Sequence, residues 1–84
     1  MTSEEKKQAF KFLNEIQAKR DALKTAQEKI MELLNSNDGF TNPNIDFEIA
    51  IDIYKWMNAE NQSHKEFIEA KSDYMKFMKN TNQK

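Results

Sequence analysis

No cysteine occurs in these 84 residues, which excludes a disulfide framework, a thiolate nucleophile and a thiolate metal site. Gly39 is the single glycine, so no glycine-rich loop is available to cradle a phosphate. Pro43 is the single proline, His64 the single histidine and Arg20 the single arginine. No apolar run approaches the length of a bilayer span or a signal-peptide core. The expectation is a soluble, cytoplasmic chain with no membrane partner. The net charge is −1, so no global basic field advertises a nucleic acid. The apolar fraction is 38% and the charged fraction 32%, a balance that suits long, thin helical contacts within one domain over residues 1–84.

What the chain does have is an unbroken stretch from Ser3 to Ser36 without glycine or proline. Thr2 and Glu5 form a T-x-x-E capping box at its start, and Glu4 and Glu5 suit the positive end of the helix dipole. The spacing predicts a helix over about 3–36, roughly 50 Å long. Ala9, Ile16, Leu23 and Ile30 recur at every seventh position, and Leu13, Arg20, Gln27 and Leu34 form the row beside them. Together these eight predict the seam of a coiled-coil-like oligomer, with Arg20 and Gln27 as polar positions that fix register. Phe10, Phe12 and Met31 flank the seam and widen its apolar face. The row of every seventh residue buries equally well in parallel or antiparallel pairing, and a dimer or a tetramer satisfies it.

The helix is expected to stop at Asn35-Ser36-Asn37-Asp38-Gly39, followed by a loop to Asn44 with Pro43 in a turn or at a helix start. A second, short apolar helix is expected over about 45–58. Strict alternation from Phe47 to Ile53 also reads as a strand, but a lone strand would have nothing to pair with. Asn61-Gln62 then reads as a break, and Ser63-x-x-Glu66 as a second capping box. A third helix is expected over about 64–79, with 80–84 as a frayed tail. The fold class is therefore all-α, with three helices.

Candidates for chemistry are few. His64, in a capped first turn, reads as an exposed helical residue. Asp46, Glu48 and Asp52 form an acidic cluster, but carboxylates near a helix start already serve the dipole. Asn37-Asp38-Gly39 lacks the remaining ligand spacing of a calcium loop. No catalytic residue, metal ligand or cofactor site is assigned, and no enzyme is expected. Charge is uneven: residues 1–37 net +1, residues 38–60 net −4 and residues 61–84 net +2. Lys19, Arg20, Lys24, Lys29 and Lys55 are the candidate phosphate contacts. Tyr54 and Trp56 are aromatic anchors of the kind that protein interfaces favour.

The order of elements resembles two small DNA-binding families: the GapR-type nucleoid proteins and the double-stranded-DNA-binding protein of T-even phages. Phe12-Leu13-x-x-Ile16, then Lys24, Ile30, Gly39-Phe40 and Lys55, carry the first likeness. Ile53-Tyr54, then Phe67-Ile68-Glu69-Ala70 and Asp73-Tyr74, carry the second. The likeness spans about residues 12–78. It implies a helical dimer, or dimer of dimers, that grips duplex DNA through lysines with little sequence readout. Where the GapR-type pattern has lysines, this chain has Met31, Asp46, Glu48 and Asp52.

Two functions are expected from this reading. One is a small phage or bacterial DNA-associated protein that self-associates and touches duplex DNA through the five cations, in the host cytoplasm if phage-encoded. The other is an adaptor or inhibitor that docks on a larger host or phage protein and binds no DNA.

Overall fold

The computed structural model describes residues 1–36 and 47–82, and apart from Met1 and Thr2 all of them are helical. Helix α1 spans Ser3–Ser36 and helix α2 spans Phe47–Asn82. The expected stop signals at 37–39, the loop through Pro43, and Ile45 and Asp46 lie outside the described residues, as do 83–84.

The N-terminus of α1 is built as its residues dictate. The Thr2 amide donates to Glu5 Oε1 at 3.0 Å, and the Glu5 amide donates to Thr2 Oγ1 at 3.1 Å. This reciprocal pair satisfies two donors that a helix start otherwise leaves unmet.

Three helices are expected from the sequence and two are present among the described residues. The segments 45–58 and 64–79 are not separate: α2 runs through Asn61, Gln62 and Ser63 without a break. Asparagine and glutamine cost a helix interior less than about 0.7 kcal/mol each. Packing along α2 outweighs that, because its less exposed positions continue through the supposed break. Ile49, Ile53, Trp56, Glu60, Ser63, Phe67, Ala70, Tyr74, Phe77 and Thr81 alternate steps of four and three, the spacing of one helix face. Asn80–Asn82, expected as part of a frayed tail, also belong to the helix.

The two helices pack antiparallel along their length. Phe12 lies against Tyr74 and Phe77, with ring centroids 6.4 and 5.2 Å away. Further along, Lys19 Nζ lies 3.7 Å from Glu66 Oε2, and Leu23 and Gln27 share a depression with Glu60, Asn61 and His64. Numbers rise on α1 as they fall on α2. The result is a rod of 62 × 16 × 15 Å, with a radius of gyration of 18.6 Å. A compact chain of this length would have about 12 Å.

The core is thin. Only Ala26, Ile30, Ile53 and Ala70 are buried among the described residues, and no large side chain is fully enclosed. The alanines let the helix axes approach, while the isoleucines fill the space nearer the connection. On α1 the less exposed positions are Glu5, Ala9, Phe12, Ile16, Lys19, Leu23, Ala26, Ile30, Leu33 and Leu34. The row Ala9, Ile16, Leu23 and Ile30 thus packs within the chain. The second row is Phe12, Lys19, Ala26 and Leu33, one residue earlier than the row of Leu13, Arg20, Gln27 and Leu34.

Candidate interaction surface

Around each helix, the rows next to the seam differ in chemistry. On α1 one flank carries Phe10, Leu13, Gln17, Arg20, Lys24, Gln27, Met31 and Leu34 at alternating steps of three and four. On α2 the matching flank carries Phe47, Ala50, Tyr54, Met57, Asn61, His64, Ile68, Lys71, Met75 and Met78. Gln27 and His64 line the same depression, so both flanks lie on one broad side of the rod.

That side holds eight of the ten large apolar side chains left exposed among the described residues, Met1 and Ile51 being the other two. Exposure reaches 66% at Phe10, 67% at Tyr54 and 69% at Met75. Isolated exposed apolar residues are ordinary on a surface, whereas a contiguous set along one side marks a contact. The side also carries no carboxylate on either flank row; its charges are the cations Lys6, Arg20, Lys24 and Lys71.

The apolar residues fall in two patches. Phe10, Leu13, Ile68, Met75 and Met78 occupy the end where the chain termini lie. Met31, Leu34, Phe47, Ala50, Tyr54 and Met57 occupy the other end. Between them Gln17, Arg20, Lys24, Gln27, Asn61 and His64 form a polar waist. In the first patch, Ile68, Lys71, Ser72, Met75, Lys76 and Lys79 line a mostly apolar depression, and Lys71 Nζ sits 4.7 Å over the Phe67 ring. That cation–π contact keeps the ammonium against its own helix.

The opposite side is polar. Glu15, Lys29 and Glu32 of α1 and Asp52, Lys55, Glu66, Glu69 and Asp73 of α2 lie there with alanines, and Ile51, 37% exposed beside Lys55, is the one exposed large apolar residue on it among those described.

The five candidate phosphate contacts do not converge. Lys19 sits at the seam, about a third exposed, with Glu66. Arg20 and Lys24 are on the apolar side, with Asp21 at 3.7 Å and Glu28 at 4.0 Å. Lys29 is on the polar side with Glu32 at 3.6 Å, and Lys55 borders a depression with Asp52, Trp56 and Ala59. Four of the five therefore lie within ion-pair distance of a carboxylate, which lowers the local field a phosphate would meet.

The two aromatic anchors separate as well: Tyr54 projects from the apolar side, while Trp56 is half-buried in the seam row. Of the eight seam residues, Ala9, Ile16, Leu23 and Ile30 face α2, Leu13, Arg20 and Gln27 are exposed on the apolar side, and Leu34 is half-buried at its edge. Asp46 of the acidic cluster is outside the described residues. Among the described residues, no three histidine, aspartate or glutamate side chains gather where an ion could be held. No helix among them is long and apolar enough to cross a membrane.

Sequence reasoning missed the flank on α2. Its signal was present as Phe47, Tyr54, Ile68 and Met75, separated by multiples of seven, but the expected break at Asn61-Gln62 divided it. No protein-family model, curated protein or solved structure matches the chain.

Proposed function

We propose that this chain is a non-enzymatic helical interaction module of the cytoplasm, which works by packing its apolar side against another protein surface. The observation that carries the reading is the segregation of most exposed large apolar residues to one side of the rod, whose flank rows carry no carboxylate. Burying a side chain such as Phe10 or Tyr54 removes apolar area worth roughly 1.5–3 kcal/mol, and a row of them supplies an interface. Tyr54 is the anchor available from the free chain. Trp56 supports the seam from within.

Duplex DNA is the competing reading, supported by the family resemblance and by the absence of carboxylates from the flank rows of the apolar side. The spread of the five cations over both sides and the seam weighs against it.

A photo-crosslinking amino acid placed at Tyr54, and separately at Asp73 on the polar side, tests the first reading in cells that express the chain. Adducts to a defined protein from position 54 but not from 73 are expected. Adducts from neither, or equally from both, overturn it. Fluorescence anisotropy of a 30-base-pair duplex at about 50 and 200 mM salt tests the second. Binding that falls steeply between those salts would restore DNA as the partner.

A further inference from the structure

The flank rows of the apolar side read nearly the same from either end. On α1 the row is centred on Ala22: Phe10 and Leu34 stand at equal distance from it, as do Leu13 and Met31, Gln17 and Gln27, and Arg20 and Lys24. Each pair matches in kind, apolar with apolar, amide with amide, cation with cation. On α2 the row is centred between Gln62 and Ser63, pairing Asn61 with His64, Met57 with Ile68, Ala50 with Met75 and Phe47 with Met78, while Tyr54 and Lys71 are the one unlike pair. A 3–4 spacing guarantees equal intervals from such a centre; it does not guarantee matched chemistry. The two centres also lie at nearly the same height on the rod, because Leu23, Asn61 and His64 border one depression.

A surface that matches its own reversal fits itself about a two-fold axis. We infer that the occupant of the apolar side is a second copy of this chain, turned end for end about an axis crossing the rod at its polar waist. This rests on the interaction-module reading and names its partner. Each α1 then lies antiparallel to the partner's α1, and each α2 to the partner's α2, in a four-helix bundle. Phe10 meets the partner's Leu34, Leu13 meets the partner's Met31, and amides meet amides at the waist, where polar residues fix register. Arg20 opposite the partner's Lys24 is the one like-charge pairing. Asp21 and Glu28, within 4.0 Å on the same helix, offset it. Tyr54 faces the partner's Lys71 as an aromatic ring against a cation.

The area agrees. The chain exposes 6570 Å², against about 5,200 Å² for a compact folded chain of its mass. The excess of about 1,300 Å² exceeds the ~800 Å² per partner of a standard interface. A partner that covers both patches and the waist must be as long as the rod itself, and a second copy is.

Three measurements on the full chain test this. Sedimentation equilibrium from about 1 to 100 µM is expected to give twice the 10.0 kDa mass of the chain; a monomer throughout overturns the pairing. With no native cysteine, Lys11→Cys takes a single spin label on the polar side. End-for-end pairing places the two labels about 33 Å apart along the axis and roughly 20 Å apart across the bundle, about 39 Å in all, whereas an axis along the rod leaves only the separation across the bundle. A separation under about 30 Å therefore overturns the geometry. Finally, Leu13→Glu and Met31→Lys should each give monomers alone and restore the doubled mass when mixed, since the introduced carboxylate of one copy then meets the introduced ammonium of the other. Failure of the mixture while both variants stay helical overturns the register. If the chain is monomeric yet position 54 crosslinks to another protein, the second copy is wrong and the interaction reading stands.

Discussion

Lys19 of α1 reaches Glu66 of α2 across the seam, with Nζ and Oε2 3.7 Å apart. Both side chains remain more than a third exposed, at 35% and 39%, so solvent screens the pair and its worth is below about 1 kcal/mol. Lys19→Met is expected to change the thermal midpoint little, since the methionine covers the same apolar surface. Lys19→Glu sets two carboxylates face to face and is expected to lower stability by about 1 kcal/mol. Circular-dichroism melts at low and high salt distinguish the two, because only the charge-reversed variant should recover with salt.

Ala26 is 2% exposed and Ala70 6%. Their small side chains set how closely the helices approach. Ala26→Leu is expected to destabilise the helix pair by about 1–3 kcal/mol through overpacking. A urea titration that shows no loss would mean that the seam has room the structure does not give it.

Ile30 and Ile53 are the only large buried side chains among the described residues. Replacing either with alanine is expected to cost about 2–4 kcal/mol, a large share of the stability of a domain this size. Met75→Ser, on the apolar side at 69% exposure, is expected to leave folding of the single chain within ~0.5 kcal/mol of wild type. Urea titrations at sub-micromolar concentration compare the three.

Gln62→Pro examines the continuity of α2. A proline inside a helix removes a hydrogen bond and clashes with the preceding turn, at about 3 kcal/mol, whereas proline at a helix start is tolerated. A clear loss of helicity and stability is expected. A neutral outcome would mean that a new helix begins there after all.

The bounds of α1 were legible because local signals agree: a capping box, thirty-four residues without a breaker, and one apolar row. The row that pairs with Ala9, Ile16, Leu23 and Ile30 was not legible. Phe12 and Leu13 are both apolar, Lys19 and Arg20 both cationic, Leu33 and Leu34 identical, so neighbouring rows offer equal cases. Tertiary fit decides between them: Phe12 finds Tyr74 and Phe77, and Ala26 permits close approach where Gln27 would not. In α2, Ser63 and Glu66 carry the letters of a capping box inside a helix. Such a motif marks a start only where preceding residues leave the helix, and Asn61 and Gln62 do not. Glu60 and Ser63, polar residues in the seam, hid the continuity that Trp56 and Phe67 would otherwise have made plain.

The ring of Phe12 against Phe77, 5.2 Å between centroids, sits far from the segment that joins the helices. In an antiparallel pair, contacts near the join close short loops, and each step outward closes a longer one at greater entropic cost. Zippering from Ile30 and Ile53 outward therefore reaches the aromatic cluster late, and thermal fraying would begin at that end if nothing held it. An aromatic clasp at the mouth of the zipper opposes this, so local opening has to start between two fastened ends. Amide exchange along such a rod should then be fastest where the seam is filled by Lys19, Glu60 and Ser63.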